Sequence, residues 1–331
     1  MATDTLYRSH TFAFFDAHHW VDWVELCCIA NADGETDVAS MADRLREERD
    51  IRKRIDPPGN GDGDGGLPDQ EQWATESDKH TLMVKEWFKS HAKRANLLGD
   101  SYPFELDSSN AKLQLRASLT DTHRLYVALL MMSNLHYFAE AEADLTSSFE
   151  TMGVTVFRWL LPAHAEVHRF GKGPGNSGPY KGHIWDKLRR LATDMSCKTK
   201  CTKGEFAPTD TGEAGLDLVG WVPWEDPAPG RLLLFGQCAC SPKWAAKQNE
   251  ASAATWNSKL ELVTNPLTVV LIPFFLRTTS GEWHRRTDFA GHLIVDRLRL
   301  LRTLAAGAAH HLQLPAFKHV AACLAAKESA Y

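Results

Sequence analysis

Apolar positions along the first half of the chain recur at the three-and-four spacing of amphipathic helices. In "AHHWVDWVELCCIANADG" Trp20, Trp23, Val24, Cys27 and Cys28 fall on one face, and Asp33-Gly34 ends the run. The same spacing predicts helices in "TDVASMADRLREER", "DKHTLMVKEWFKSHAKRANLLG", "THRLYVALLMMSNLHYF" and "SSFETMGVTVFRWLL", the last opening on a capping box of Ser147 and Glu150. Between the second and third of these lies "DPPGNGDGDGGLPD", where clustered Gly, Pro and Asp break the periodicity, so an exposed loop is expected near 55–75. "AKLQLRA" alternates and reads as a strand.

Beyond residue 162 the pattern changes. A strand, "AEVHRF", leads through the Gly/Pro-rich "GKGPGNSGPYKG" into the helix "HIWDKLRRLATDM". "GLDLVGW" and "RLLLFGQCAC", joined through "EDPAPG", read as a β-hairpin. "SPKWAAKQNEASAATWNSKLELV" reads as one helix with Ser241 and Pro242 at its N-cap and first turn. "LTVVLIPFFL" is a buried strand, and two terminal helices close the chain. The expected organisation is a mostly helical N-terminal domain over 1–162 and an α/β domain over 163–331, a mixed sheet flanked by helices.

Composition is that of an ordinary globular protein, with 44% apolar and 24% charged residues among 331. No run of about 18 or more apolar residues and no signal-like N-terminus is present, so a cytoplasmic protein without membrane partners is expected. The seven cysteines are an odd, scattered set, which argues for reduced thiols. A net charge of −5 argues against a polyanion partner, but Arg169 to Gly204 carries nine Lys/Arg against Asp186 and Asp194. Lys181, Lys187, Arg189, Arg190, Lys198 and Lys200 of this stripe are the candidate nucleic-acid contacts.

The residue that asks most for an explanation is Asp217, flanked by Leu216, Leu218, Val219 and Trp221, because a buried carboxylate needs a partner. On the following strand Leu233, Phe235, Gln237 and Ala239 share one row, in which Gln237 alone is polar. Oxygen ligands on adjacent strands can hold a divalent ion.

An acid-bearing strand, a turn, a strand ending in Gln237 and a helix directly after it resemble the core of the PD-(D/E)xK restriction-endonuclease-like superfamily. The pairing of Asp217 with Gln237 is most similar to its Mrr-like branch, in which Gln replaces the second acid. The resemblance covers roughly residues 180–300. It implies a restriction-endonuclease-like fold and a Mg²⁺- or Mn²⁺-dependent nuclease acting on nucleic acid, with double-stranded DNA as the expected target. Prokaryotic restriction or antiviral defence is the setting it implies. Metal ligands would be Asp217 and Gln237, with Asp186 on the upstream helix, where the superfamily often keeps another acid, and Glu213 as further acids. The superfamily's usual lysine falls on Ala239. Lys247, with Lys243 in reserve one turn earlier on the next helix, is expected to replace it. The rival expectation is a catalytically inactive module of the same fold that binds nucleic acid or scaffolds a complex. The N-terminal helices would serve homo-oligomer or partner docking.

Other signals are weaker. Cys197/Cys201 and Cys238/Cys240 lack zinc-knuckle spacing, and the second pair is expected to face away from the Asp217 site. "HAEVH" is not HExxH, and "GKGPGNSG" is not a phosphate loop. Asn60, Asp62, Asp64, Gly65 and Glu71 approach calcium-loop spacing, but Pro57-Pro58 forbid the entering helix.

Overall fold

The computed structural model describes residues 17–55, 70–171, 178–278, 280–284 and 286–326, with backbone alone at 17, 48–55 and 70–77. Most of the loop expected near 55–75, with its calcium-like positions up to Gly65, and the centre of the Gly/Pro-rich run at 172–177 lie outside the described residues.

The chain divides into two compact units, Met1–His123 with His319–Tyr331, and Arg124–Lys318. The first contains α1 (Ala17–Ala30), β1 (Glu35–Asp37), α2 (Val38–Ile55), α3 (Gln70–Leu98), β2 (Phe104–Leu106) and β3 (Lys112–Leu115). Its strands form a small antiparallel sheet in the order β1-β3-β2, so the unit is not helical alone. Two of these strands are three residues long, too short for an alternating pattern to reveal. Its buried charges answer one another: Arg94 pairs with Asp22 at 2.6 Å and Glu25 at 2.8 Å, and the Tyr102 hydroxyl donates to Glu25 at 2.8 Å.

After α4 (Asp121–Met132), the second unit contains α5 (Glu142–Leu160), β4 (Glu166–Arg169), α6 (Ile184–Asp194), β5 (Leu218–Trp221) and β6 (Leu233–Cys238). Two single-turn helices follow, α7 (Trp244–Lys247) and α8 (Ala253–Trp256), then β7 (Leu267–Leu271), β8 (Leu293–Val295), α9 (Arg297–Leu304) and α10 (Ala308–His311), while α11 (Ala316–Ala325) passes at His319 into the first unit. The five-stranded sheet has the order β4-β5-β6-β7-β8. β4, β5 and β6 form an antiparallel meander, whereas β7 and β8 run parallel to β6. The fold is therefore mixed α/β, and the expected hairpin is present with Leu218 opposite Gly236.

Helix α5 covers one face of the meander with Phe149, Met152, Val156 and Phe157. The other face carries Val219, Trp221, Leu233 and Phe235, packed against Ile184, Leu188 and Leu191 of α6 and Trp256 of α8. Because α5 seals the sheet, it groups with the sheet, and the division falls after His123, not near residue 162. Helix α5 also begins at Glu142, so Ser147 and Glu150 are interior helical residues, not a capping box.

Close packing under α5 depends on glycine. A Cβ on Gly236 would lie 2.6 Å from the Phe157 ring and 3.0 Å from Leu218 Cβ. Neither neighbour can yield, since Phe157 and Leu218 are fully buried. Gly236→Ala is expected to cost about 1–3 kcal/mol through overpacking. Urea unfolding should show the loss as a lower midpoint with an unchanged slope.

The single helix expected over 241–263 is broken. Lys243 is the N-cap of α7, not a member of it, which displaces the expected cap at Ser241. The carbonyls of Asn249 and Glu250 accept from the Thr255 hydroxyl at 2.6 Å and the Trp256 indole at 3.0 Å, bonds that a continuous helix would have replaced. Ser252 then caps α8. Among the described residues no helix is long and apolar enough to cross a membrane.

Candidate functional site

Asp217 lies one residue before β5 and is 6% exposed. Its backbone is held on both sides. The amide donates to Gly236 O at 2.9 Å, and the carbonyl accepts from Phe170 N at 2.8 Å. The side chain is less well provided for. Among the described residues its one side-chain bond is from Cys238 N to Oδ2 at 2.6 Å, a backbone amide in place of a cation. Burial, then the negative charge of Glu150 and more weakly of Glu213 and Glu250, pushes its pKa up to about 8 against the pull of that bond.

Glu150, on α5, was not among the sequence-derived site residues, yet it is the charged neighbour that acts most strongly on Asp217. Its Oε2 accepts from Arg169 Nε at 3.0 Å and Nη2 at 2.5 Å. Arg169 Nη1 reaches Ser147 Oγ at 3.3 Å and Thr151 Oγ1 at 3.2 Å. Burial raises the pKa of Glu150, Arg169 opposes the rise, and Glu213 adds to it. Gly171 gives this carboxylate room, because a Cβ there would stand 3.2 Å from Glu150 Oε2.

Gln237 is 5% exposed, and its Oε1 is buried without a hydrogen-bond donor among the described residues. The register pairing Leu218 with Gly236 leaves Asp217 and Gln237 at the next position on each strand, as neighbours. Glu213 also has a buried oxygen, Oε2, without a donor. It is carried on a tight turn in which Ala214 (φ 52°) and Gly215 (φ 78°) are consecutive left-handed residues. For alanine that conformation is costly and persists only where the surroundings impose it. Here they do: Glu250 packs so closely on Gly215 that a Cβ would fall 2.5 Å from its own, and Lys187 Nζ bonds the carbonyls of Thr211 and Gly212 at 3.0 Å each.

Lys187 is therefore not a surface contact for nucleic acid. It is 2% exposed, shares the inward face of α6 with Ile184, Leu188 and Leu191, and lies 5.8 Å from the Phe170 ring centroid. Its charge favours the ionised form of Glu150. The other basic positions, Lys181, Arg189, Arg190, Lys198 and Lys200, are exposed as expected, with Arg190 paired to Asp194 at 2.9 Å.

Asp186 is exposed in the first turn of α6, and the acids that act most strongly on Asp217 are Glu150, Glu213 and Glu250. Lys243 and Lys247 are both exposed. The charge of Lys247 reaches the Cys240 thiol, while the strongest charges on Asp217 are those of Glu150, Glu213 and Glu250. Ala239 is buried in the cluster of Trp244, Val270 and Ile272.

Cys238 alternates with Gln237 along β6 and turns to the α5 face, its Sγ 3.4 Å from a Cβ placed on Gly153. Burial raises the Cys238 and Cys240 thiols, and the charges of Asp217 and Glu150 raise them further. Among the described residues no three His, Cys, Asp or Glu side chains form a group that could hold a metal ion by themselves. Among the described residues the site offers Asp217 with three carboxylates in electrostatic reach of it, two donorless oxygens, and the internal cations Arg169 and Lys187. Set against protein-family models, curated proteins and solved structures, the chain finds no match.

Proposed function

We propose that the cluster around Asp217 binds a divalent cation, Mg²⁺ or Mn²⁺, and that the protein is a metal-dependent nuclease of restriction-endonuclease-like fold. The observation that carries this reading is the pairing of a buried carboxyl of raised pKa with two buried oxygens, Gln237 Oε1 and Glu213 Oε2, that have nothing to accept. An all-oxygen donor set suits a hard cation, and Mg²⁺ takes only one or two carboxylates while keeping several waters, so three converging acids are not required. The antiparallel β5–β6 hairpin and an upstream helix acid, Glu150 in place of Asp186, also support it.

When bound, the ion would polarise a phosphoryl oxygen and lower the pKa of an attacking water. Asp217 and Gln237 would hold it, with Glu213 or Glu150 completing the set. Arg169 and Lys187 keep the acids fixed until then, and the exposed Lys181, Arg189, Lys198 and Lys200 offer charge to a phosphate backbone, with double-stranded DNA as the proposed substrate. Lys247 is the exposed cation proposed to steady the developing phosphate charge, with Lys243 as alternate. Restriction or antiviral defence in a prokaryotic cytoplasm is the setting this reading suggests.

Ala239 and the Arg169–Glu150 pair favour a second reading, an inactive module of the same fold that binds nucleic acid. Supercoiled plasmid incubated with the full chain and Mg²⁺ or Mn²⁺ separates the two. Cleavage is expected from the wild type, with a loss of at least a hundredfold in Asp217→Ala and on chelation. Intact plasmid, with DNA binding that Asp217→Ala leaves unchanged, decides for the inactive module.

A further inference from the structure

The end of the five-stranded sheet opposite Asp217 has an unusual surface. Glu166, Trp221 and Leu233 stand opposite one another at that end, and Leu267 pairs with Leu234 beside them. Among the described residues six large apolar side chains are strongly exposed, and five belong to this end: Trp159, Trp224, Leu232, Val263 and Leu267. Trp159 closes α5, whose Phe157 and Leu161 reach Gly220. Trp224 and Leu232 flank the β5–β6 turn, where Val222 N bonds Leu232 O at 3.1 Å. Val263 approaches the same turn, within 3.6 Å of a Cβ placed on Gly230.

The tryptophans are 69% and 61% exposed, and each can bury about 150–250 Å². With the three aliphatic residues the exposed apolar area spread over this end is on the order of 500 Å², so the polar rim would have to supply the rest of an interface. We propose that this end of the sheet is a two-fold interface with a second copy of the chain. A stable interface needs about 800 Å² per partner, an apolar core with a polar rim around it, and tryptophan is the favoured anchor. The rim carries both signs: exposed Arg158 beside Trp159, exposed Glu225 and Asp226 beside Trp224. In an isologous contact each basic edge meets the partner's acidic edge, so the match is made twice. The same acids oppose nucleic acid as the occupant.

Sedimentation equilibrium of the full chain tests this by mass, independently of any nuclease activity. A dimer is expected, with its dissociation constant raised at least tenfold by Leu232→Glu and by Val263→Glu. Arg158→Glu alone and Asp226→Arg alone should each weaken it severalfold, and the two together should restore it. Near-UV circular dichroism matching the wild type shows that the variants are folded. A chain that stays monomeric to about 100 µM, or a dimer indifferent to all four substitutions, overturns the proposal.

Discussion

Arg169→Met is expected to be the most destabilising single change at the site, at about 3–5 kcal/mol. Among the described residues Arg169 is the ion-pair partner of Glu150, and it is 7% exposed against 16% for the acid. Removing it leaves a half-buried carboxylate beside Asp217 and Glu213 with the weaker attraction of Lys187. Methionine keeps the volume of the arginine stem, so the loss is electrostatic and not a cavity. Two controls follow from that cause. Adding Glu150→Gln to Arg169→Met should recover most of the stability, because the stranded charge is gone. The deficit should also shrink toward acid pH, where Glu150, already raised, takes up a proton. Chemical denaturation of the four members of this double-mutant cycle at neutral and acid pH measures the coupling. Equal losses in the single and double variants would mean that Arg169 matters through packing.

The residues of this cluster differ in how far the sequence exposes them. The hairpin was legible because two apolar runs flank a turn rich in Pro and Gly, and Asp217 and Gln237 were legible as the polar exceptions within those runs. Glu150 was not. Its spacing from Ser147 satisfies a capping box equally well, and only the packing of α5 on the sheet turns Ser147, Glu150 and Thr151 toward Arg169. Lys187 left a signal in its spacing from Ile184, Leu188 and Leu191, which marks an inward position. A count of charges along the stripe hides that face. The break after Lys247 depends on bonds from Thr255 and Trp256 that no local periodicity reveals. What stayed hidden, then, is the set of long-range pairings that decide which face of a helix is inside.

Asp217→Asn is expected to stabilise the metal-free protein at alkaline pH and to remove a pH dependence from it. The carboxyl titrates near 8 in the folded protein, against an ordinary value of 3.8 for an exposed aspartate. Between those values the folded chain binds the proton and the unfolded chain does not, so stability is full below about pH 4 and falls as pH rises toward 8. At roughly 1.4 kcal/mol per pKa unit over the roughly four units between them, the loss reaches about 5–6 kcal/mol by pH 8. Asparagine still accepts the Cys238 amide and carries no charge for Glu150, Glu213 and Glu250 to repel. Urea midpoints measured in chelator from pH 5 to 8.5 should therefore diverge, the variant nearly level and the wild type declining. Parallel curves would place the Asp217 carboxyl in the ordinary range, ionised throughout, and would remove the electrostatic reason for this site to attract a cation.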